Sequence, residues 1–261
     1  MRFIRFQTKN QLPAFGWVQD DQVGALEGSP LTEFRRLPAT LPLESVRLLP
    51  PILPSKIICV GRNYVEHARE HGNEVPDVPL IFLKPPTSLI GPGAAILLPP
   101  QSERVEHEGE LVIVIGRGGR HIEPADAADY ILGYTIGNDV TARDLQRRDN
   151  QWTRAKGFDT FCPLGPWIDT RLDPSDALVT CHVNGQLRQM ASTRDMVFPV
   201  AQLVAYISSV MTLEPGDVIL TGTPSGVGPL EPGDEVRVEV EGLGTLTNPV
   251  RNAPHREPPT L

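Results

Sequence analysis

The segment His107-Glu108-Gly109-Glu110-Leu111-Val112-Ile113-Val114-Ile115-Gly116 constrains this chain most. Five apolar residues follow one another, four of them β-branched, and a glycine ends the run. Such a run reads as a buried strand. On a strand, residues i and i+2 share a face, so Glu108 and Glu110 stand roughly 7 Å apart at the backbone and can converge on one cation. Gly109 between them leaves room for another backbone or a ligand. Taken alone, the segment is better explained as a strand whose first residues emerge into water.

The chain has 261 residues, enough for one large domain with a small appendage. Acidic residues exceed basic ones, 32 to 24, for a net charge of −8, and no basic run is present. This speaks against nucleic acid as a partner. No apolar run is long enough to span a bilayer, and Met1-Arg2-Phe3 opens directly into a strand pattern. No membrane partner and a cytoplasmic location are therefore expected. Cys59, Cys162 and Cys181 are scattered and odd in number, which fits buried thiols in a reducing compartment. With 27 prolines, many strands and stiff loops are expected and few long helices.

Residues 1–54 read as a small β-rich unit with a linker, and 55–261 as the main domain. Strands are expected over Arg2–Gln7, Phe15–Val18 and Gln22–Leu26, with turns at Thr8-Lys9-Asn10 and Asp20-Asp21. A short helix is expected over Leu31–Arg36, then an extended Leu-Pro linker to Pro54. Further strands are Lys56–Val60, Leu80–Lys84, Ala95–Leu98 and Leu132–Val140, which runs into Asp139. Helices are expected at Val65–His71, Pro124–Tyr130, Thr141–Gln146 (capped) and Val197–Met211, the longest. The polar stretch Asn150–Gly165 reads as a surface loop carrying Lys156. Asn184-Gly185 is the strongest hairpin signal, between Ala177–Val183 and Leu187–Met190. Leu-Glu-Pro-Gly-Asp occurs twice, at 213–217 and 230–234, each time ahead of a strand. The tail from Pro254 is expected to fray.

Asp139, in Gly137-Asn138-Asp139, is the candidate third acid for Glu108 and Glu110; the alternative is a solvated turn residue. Three carboxylates without His or Cys suit a hard, oxygen-preferring ion, Mg²⁺ or Mn²⁺, with Ca²⁺ as a substitute. They also call for a nearby cation or for open coordination positions that a substrate can take. His107 points to the opposite face of the strand and is not counted as a ligand. His67 and Glu70, at i and i+3, suit a base and its orienting carboxylate, or an ordinary solvated helix face. The loop Thr221-Gly222-Thr223-Pro224-Ser225-Gly226-Val227-Gly228 lacks the Gly-Lys-Ser/Thr ending of a phosphate loop. It can still offer backbone N–H groups and the Thr223 hydroxyl to a carboxylate.

Several segments, in order, resemble the fumarylacetoacetate hydrolase family. They are Val60-Gly61-Arg62-Asn63-Tyr64 with His67-x-x-Glu70, Phe82-Leu83-Lys84-Pro85, His107-Glu108-Gly109-Glu110-Leu111, Asp139-Val140-Thr141-Ala142-Arg143-Asp144-Leu145-Gln146, Ala155-Lys156-Gly157-Phe158-Asp159, and Leu220-Thr221-Gly222-Thr223-Pro224-x-Gly226-Val227-Gly228. The resemblance spans roughly Pro54 to Val250, preceded by what looks like the β-rich extension of some bacterial and archaeal members. It implies a mainly β fold with α+β elements, a mixed β-roll of curved sheets, and a homodimer holding one Mg²⁺ or Mn²⁺. The metal ligands it implies are Glu108, Glu110 and Asp139. Catalytic roles fall on His67, Glu70, Lys156 and Gln146, and substrate-binding roles on Arg62, Arg143 and Thr223. The larger eukaryotic members carry a fourth acidic ligand near the lid; Asn63 and its neighbours supply none. This points away from fumarylacetoacetate and toward acylpyruvates, oxaloacetate or ring-cleavage products as the small 2-oxo acid substrate.

The expected reaction is metal-assisted hydrolysis of a C–C bond in a 2,4-dioxo acid through a stabilised enolate, with His67 activating water. The rival within the family is an isomerase or decarboxylase acting on 2-hydroxy-dienedioates or oxaloacetate. A more distant alternative is a metal-stabilised binding module without turnover. Arg62, Lys84 and Arg143 are candidates for a second substrate carboxylate.

Overall fold

A computed structural model describes residues 1–254 other than Asn10 and His71. Strands dominate, arranged in two mixed sheets and a small antiparallel one. The largest runs in the order Phe34–Arg36, Gln22–Gly28, Ala14–Gln19, Arg2–Gln7, Cys162–Asp169, Ile131–Asn138, Gly109–Ile115, Val218–Leu220, Ile57–Gly61, Leu80–Lys84. The N-terminal strands therefore continue the main sheet, through antiparallel pairing of Arg2–Gln7 with Cys162–Asp169. A second sheet orders Ile96–Leu98, Gly244–Asn252, Glu235–Val240, Leu178–Val183 and Gln186–Ser192. A small third sheet joins Val105–His107 to Thr141–Ala142 and Gly228–Pro229.

The apolar run lies at the centre. Leu111, Ile113 and Ile115 face one core and Val112 and Val114 the other, all fully buried. That is why the run shows no polar alternation: both faces of the strand are covered. The strand does not extend back through Glu108. Its neighbour Val105–His107 belongs to a different sheet, and Glu108 sits at the crossing. There the Glu108 N–H donates to the Asn138 side chain at 2.9 Å rather than to a ladder carbonyl. Gly109 is small because the second sheet presses on it: a Cβ there would lie 2.9 Å from Val238 Cγ1 and 3.3 Å from Cys181 Cβ. Gly109→Ala is expected to lower unfolding free energy by about 1–3 kcal/mol. Adding Val238→Ala should recover part of that loss, as read by denaturant unfolding of the single and double variants.

Local signals hold where turn chemistry acts alone. Asp20 and Asp21 both take positive φ, 49° and 57°, in the turn between the second and third strands. Asn184 and Gly185 do the same at 52° and 75° between Leu178–Val183 and Gln186–Ser192. The repeated Pro-Gly-Asp turns share one device: Asp217 accepts from Glu214 N–H and Asp234 from Glu231 N–H, each at 2.7 Å. Val200–Val210 is the longest α-helix among the described residues.

Other expectations are corrected by tertiary pairing. Leu31–Arg36 is not helical; Phe34–Arg36 is a strand on Gln22–Gly28, with Arg35 paired to Glu27 at 2.6 Å. The linker before Pro54 contains Leu41–Pro42, a 3-10 turn, and Arg47–Leu49, which pairs with Arg2–Gln7. The helix expected over Pro124–Tyr130 is present with those bounds, wound as 3-10 turns. Thr141 does not cap a helix: it pairs as a strand with Glu106 and its hydroxyl donates to Asp139 O, while the helix runs Arg143–Arg148. Asn150–Gly165 is not a surface loop; it holds a short helix, Thr153–Lys156, and enters the strand Cys162–Asp169. The Val65–His71 helix runs Val65–Glu70, and His71, Asn10 of the first turn and the tail beyond Pro254 lie outside the described residues.

Candidate active site

The register of two central strands assembles the acid cluster. Gly109 pairs with Asn138 and Glu110 with Gly137, so Asp139 comes beside Glu108, whose carbonyl accepts from Asp139 N–H at 2.8 Å. One carboxylate oxygen each from Glu108, Glu110 and Asp139 lies within 4.8 Å of the others, and all three residues are buried.

Two lysines and an arginine surround the cluster. Lys156 Nζ lies 2.8 Å from Glu108 Oε2 and 2.6 Å from Asp139 Oδ2, with the Phe82 ring 5.0 Å away. Lys84 Nζ lies 2.5 Å from Asp139 Oδ1 and donates to Val140 O at 3.1 Å. Arg143 bridges: its Nη2 pairs with Glu108, its Nε lies 2.6 Å from Glu106 Oε2, and its Nη1 donates to Gln146 Oε1 at 2.5 Å. Burial opposes the charge of Glu108, but Lys156 and Arg143 outweigh it and hold the carboxyl below its ordinary range. Burial likewise opposes charge on Lys156, yet Asp139 and Glu108 keep its pKa above the ordinary value.

Glu110 differs. Its carboxylate accepts from Gly222 N–H at 2.7 Å and has no cationic partner among the described residues. Burial first, then the charges of Asp139 and Glu108, push its carboxyl well above the ordinary range. An oxygen-only set with one buried, cation-free carboxylate is where a hard divalent ion fits. The three carboxylates could hold such an ion.

The cluster opens into a cavity of about 280 Å³. His67, Gln146, Lys156 and Thr223 line it beside the acids. Arg62, Arg143 and Trp152 line it as well, and so does Arg147, which the sequence did not single out. His67 is buried, with Nδ1 3.6 Å from Glu70 Oε2. Glu70 does not line the cavity; both its oxygens accept from Gly226 N–H at 3.2 Å, tying the helix to the glycine loop. Lys84 and Arg143 are engaged with the acids and are not available as distal carboxylate binders, whereas Arg62 and Arg147 have no ion pair among the described residues.

A family model described as fumarylacetoacetate (FAA) hydrolase C-terminal matches residues 56–251. The chain belongs to the fumarylacetoacetate hydrolase family. A second model, Rv2993c-like N-terminal, matches residues 1–51. Protein Rv2993c of Mycobacterium tuberculosis is 57% identical over 212 residues, 80% of either chain. The mitochondrial oxaloacetate tautomerase Fahd2a of Rattus norvegicus is 46% identical over 231 residues, 83% of this chain and 74% of that protein. The crystal structure of 5-carboxymethyl-2-hydroxymuconate delta-isomerase from Mycobacterium smegmatis superposes with a TM-score of 0.89 at 51% identity, covering 97% of this chain and all of that one. This fumarylacetoacetate hydrolase family chain is thus an enzyme with the family's mostly β fold, rather than an inert metal-stabilised module. Among the described residues no helix is long and apolar enough to cross a membrane.

Two participants escaped the sequence. Glu106, two residues before Glu108, is buried and held by Arg143 and by Arg104 at 2.6 Å. The period-two spacing of Glu106, Glu108 and Glu110 was the available signal. Gln189 had none: it lies on the exposed hairpin and reaches the site only through the tertiary fold.

Proposed function

We propose that this enzyme moves a proton at the carbon beside the 2-oxo group of a small 2-oxo diacid, interconverting enol and keto forms or shifting a conjugated double bond. The observation that carries it is the buried His67, backed by Glu70 from outside the cavity, lining one small cavity with the Glu108, Glu110 and Asp139 cluster. At about 280 Å³ the cavity suits a substrate of few heavy atoms. The similarity to an oxaloacetate tautomerase and to a hydroxymuconate isomerase supports the same chemistry.

Glu108, Glu110 and Asp139 would hold Mg²⁺ or Mn²⁺, which supplies Lewis acidity toward a 2-oxo acid when bound. Lys156 places positive charge where negative charge develops on the substrate oxygen. His67, oriented by Glu70, takes the proton from carbon and returns it. Gln146, its side-chain oxygen held by Arg143, would donate from its NH₂ to the substrate's carboxylate end, whereas the Thr223 hydroxyl on the cavity wall gives its hydrogen to Gly109 O. Arg62 and Arg147, which line the cavity and make no ion pair among the described residues, would face the distal carboxylate of a diacid.

C–C hydrolysis of an acylpyruvate is the second reading, favoured by the same His67–Glu70 pair, because a base on the cavity wall can equally activate water. A substrate panel with Mg²⁺ or Mn²⁺ separates the two. Enol oxaloacetate and a 2-hydroxy-dienedioate are expected to convert faster than acetylpyruvate is cleaved, and His67→Ala should slow that conversion about 10²-fold. Pyruvate release from acetylpyruvate with no acceleration of oxaloacetate ketonisation would overturn the proton-transfer reading.

A further inference from the structure

We propose that Gln189 is a positioning residue of the site, its buried side-chain amide locking the Gly109 peptide between Glu108 and Glu110 to the glycine loop through Thr223. The proposal rests on the reading of Glu108, Glu110 and Asp139 as a metal site. Gln189 is completely buried although its neighbours Arg188 and Met190 on the edge strand Gln186–Ser192 are exposed. Its amide closes a ring in which every donor meets an acceptor. Gly109 N–H donates to Gln189 Oε1 at 3.0 Å, Gln189 Nε2 donates to Thr223 Oγ1 at 2.8 Å, and Thr223 Oγ1 donates to Gly109 O at 2.9 Å.

The remaining capacity of the amide is also used. Nε2 donates to Pro224 O at 2.8 Å, and Oε1 lies 3.0 Å from His107 Nδ1. Turning the amide over would set its NH₂ against the Gly109 N–H, so the ring fixes one orientation. Because Oε1 has no hydrogen, His107 Nδ1 is the protonated ring nitrogen.

Packing alone does not call for glutamine here. Gln189 pairs by backbone with Cys181, and an apolar side chain of the same volume would fill the place but leave the Gly109 N–H without its acceptor. What glutamine adds is a donor and an acceptor directed at two segments far apart in sequence. Gly109 carries the peptide between two of the acids, and Thr223 forms part of the cavity wall. Groups that orient metal ligands from behind typically govern affinity by 10–100-fold when removed.

The test is Mn²⁺ binding to the purified, chelator-stripped full chain, followed by the electron paramagnetic resonance signal of free Mn²⁺. Gln189→Met keeps the volume and removes the ring; its Kd for Mn²⁺ is expected to rise about 10–100-fold. Ile207→Val, a core truncation in the Val200–Val210 helix, should lower the unfolding temperature and leave that Kd unchanged, which separates positioning from general destabilisation. If Gln189→Met does not fold, Thr223→Val opens the ring at another atom and should weaken Mn²⁺ similarly. Wild-type affinity in a folded ring-opened variant overturns the proposal alone. Absence of Mn²⁺ binding by the wild-type chain overturns the metal reading and the proposal with it.

Discussion

Glu110→Gln is expected to abolish Mn²⁺ binding and turnover together while leaving the protein folded. The amide oxygen can still accept from Gly222 N–H, and no described cation loses a partner. The variant also removes a carboxyl whose charged form burial, and then Asp139 and Glu108, disfavour, so the metal-free protein should unfold at or above the wild-type temperature. Glu108→Ala is a less clean experiment, because it takes one of two buried carboxylate partners from each of Arg143 and Lys156. Thermal unfolding in chelator, a Mn²⁺ titration and a rate assay on one preparation decide the matter. A folded Glu110→Gln protein with wild-type Mn²⁺ affinity would remove Glu110 from the metal site.

Lys156→Met should separate what Glu110→Gln keeps together. Lys156 occupies oxygens of Glu108 and Asp139 that a metal would also claim, so its loss is not expected to weaken Mn²⁺. Turnover should nevertheless fall about 10²–10³-fold in kcat/KM, as for other groups stabilising developing negative charge. Without metal the variant should be less stable than wild type, since two buried carboxylates lose a counter-charge, and Mn²⁺ should restore part of the difference. If Mn²⁺ affinity falls in step with turnover, Lys156 holds the ligands rather than acting on the substrate.

Legibility differed with the range of the force at work. The strands over Arg2–Gln7 and Leu111–Ile115 and the Asn184-Gly185 hairpin rest on side-chain alternation, apolar content and left-handed backbone, all set within a few residues. Phe34–Arg36 carries no strand signal of its own, because its strand exists only against Gln22–Gly28. The polarity of Asn150–Gly165 points to solvent, and Arg154 is exposed, yet Lys156 is buried by its pairing with Glu108 and Asp139. A charge count by segment does not distinguish a solvated cation from one whose partners arrive from elsewhere.

By itself the sequence determined a mostly β protein, two carboxylates bracketing a glycine at the head of a buried strand, and the residue types a hard cation would require. Which groups neutralise those carboxylates was decided only by the tertiary structure. Lys84 reaches Asp139 across 55 residues, Gln189 reaches Gly109 across 80, and Gly222 reaches Glu110 across 112. Turn and strand preferences act over a few residues, whereas a buried charge is stabilised by whatever the sheets bring within hydrogen-bonding distance. That is why Glu110, equivalent to Glu108 by spacing, emerges from the fold as the one acid of the three without a cation beside it.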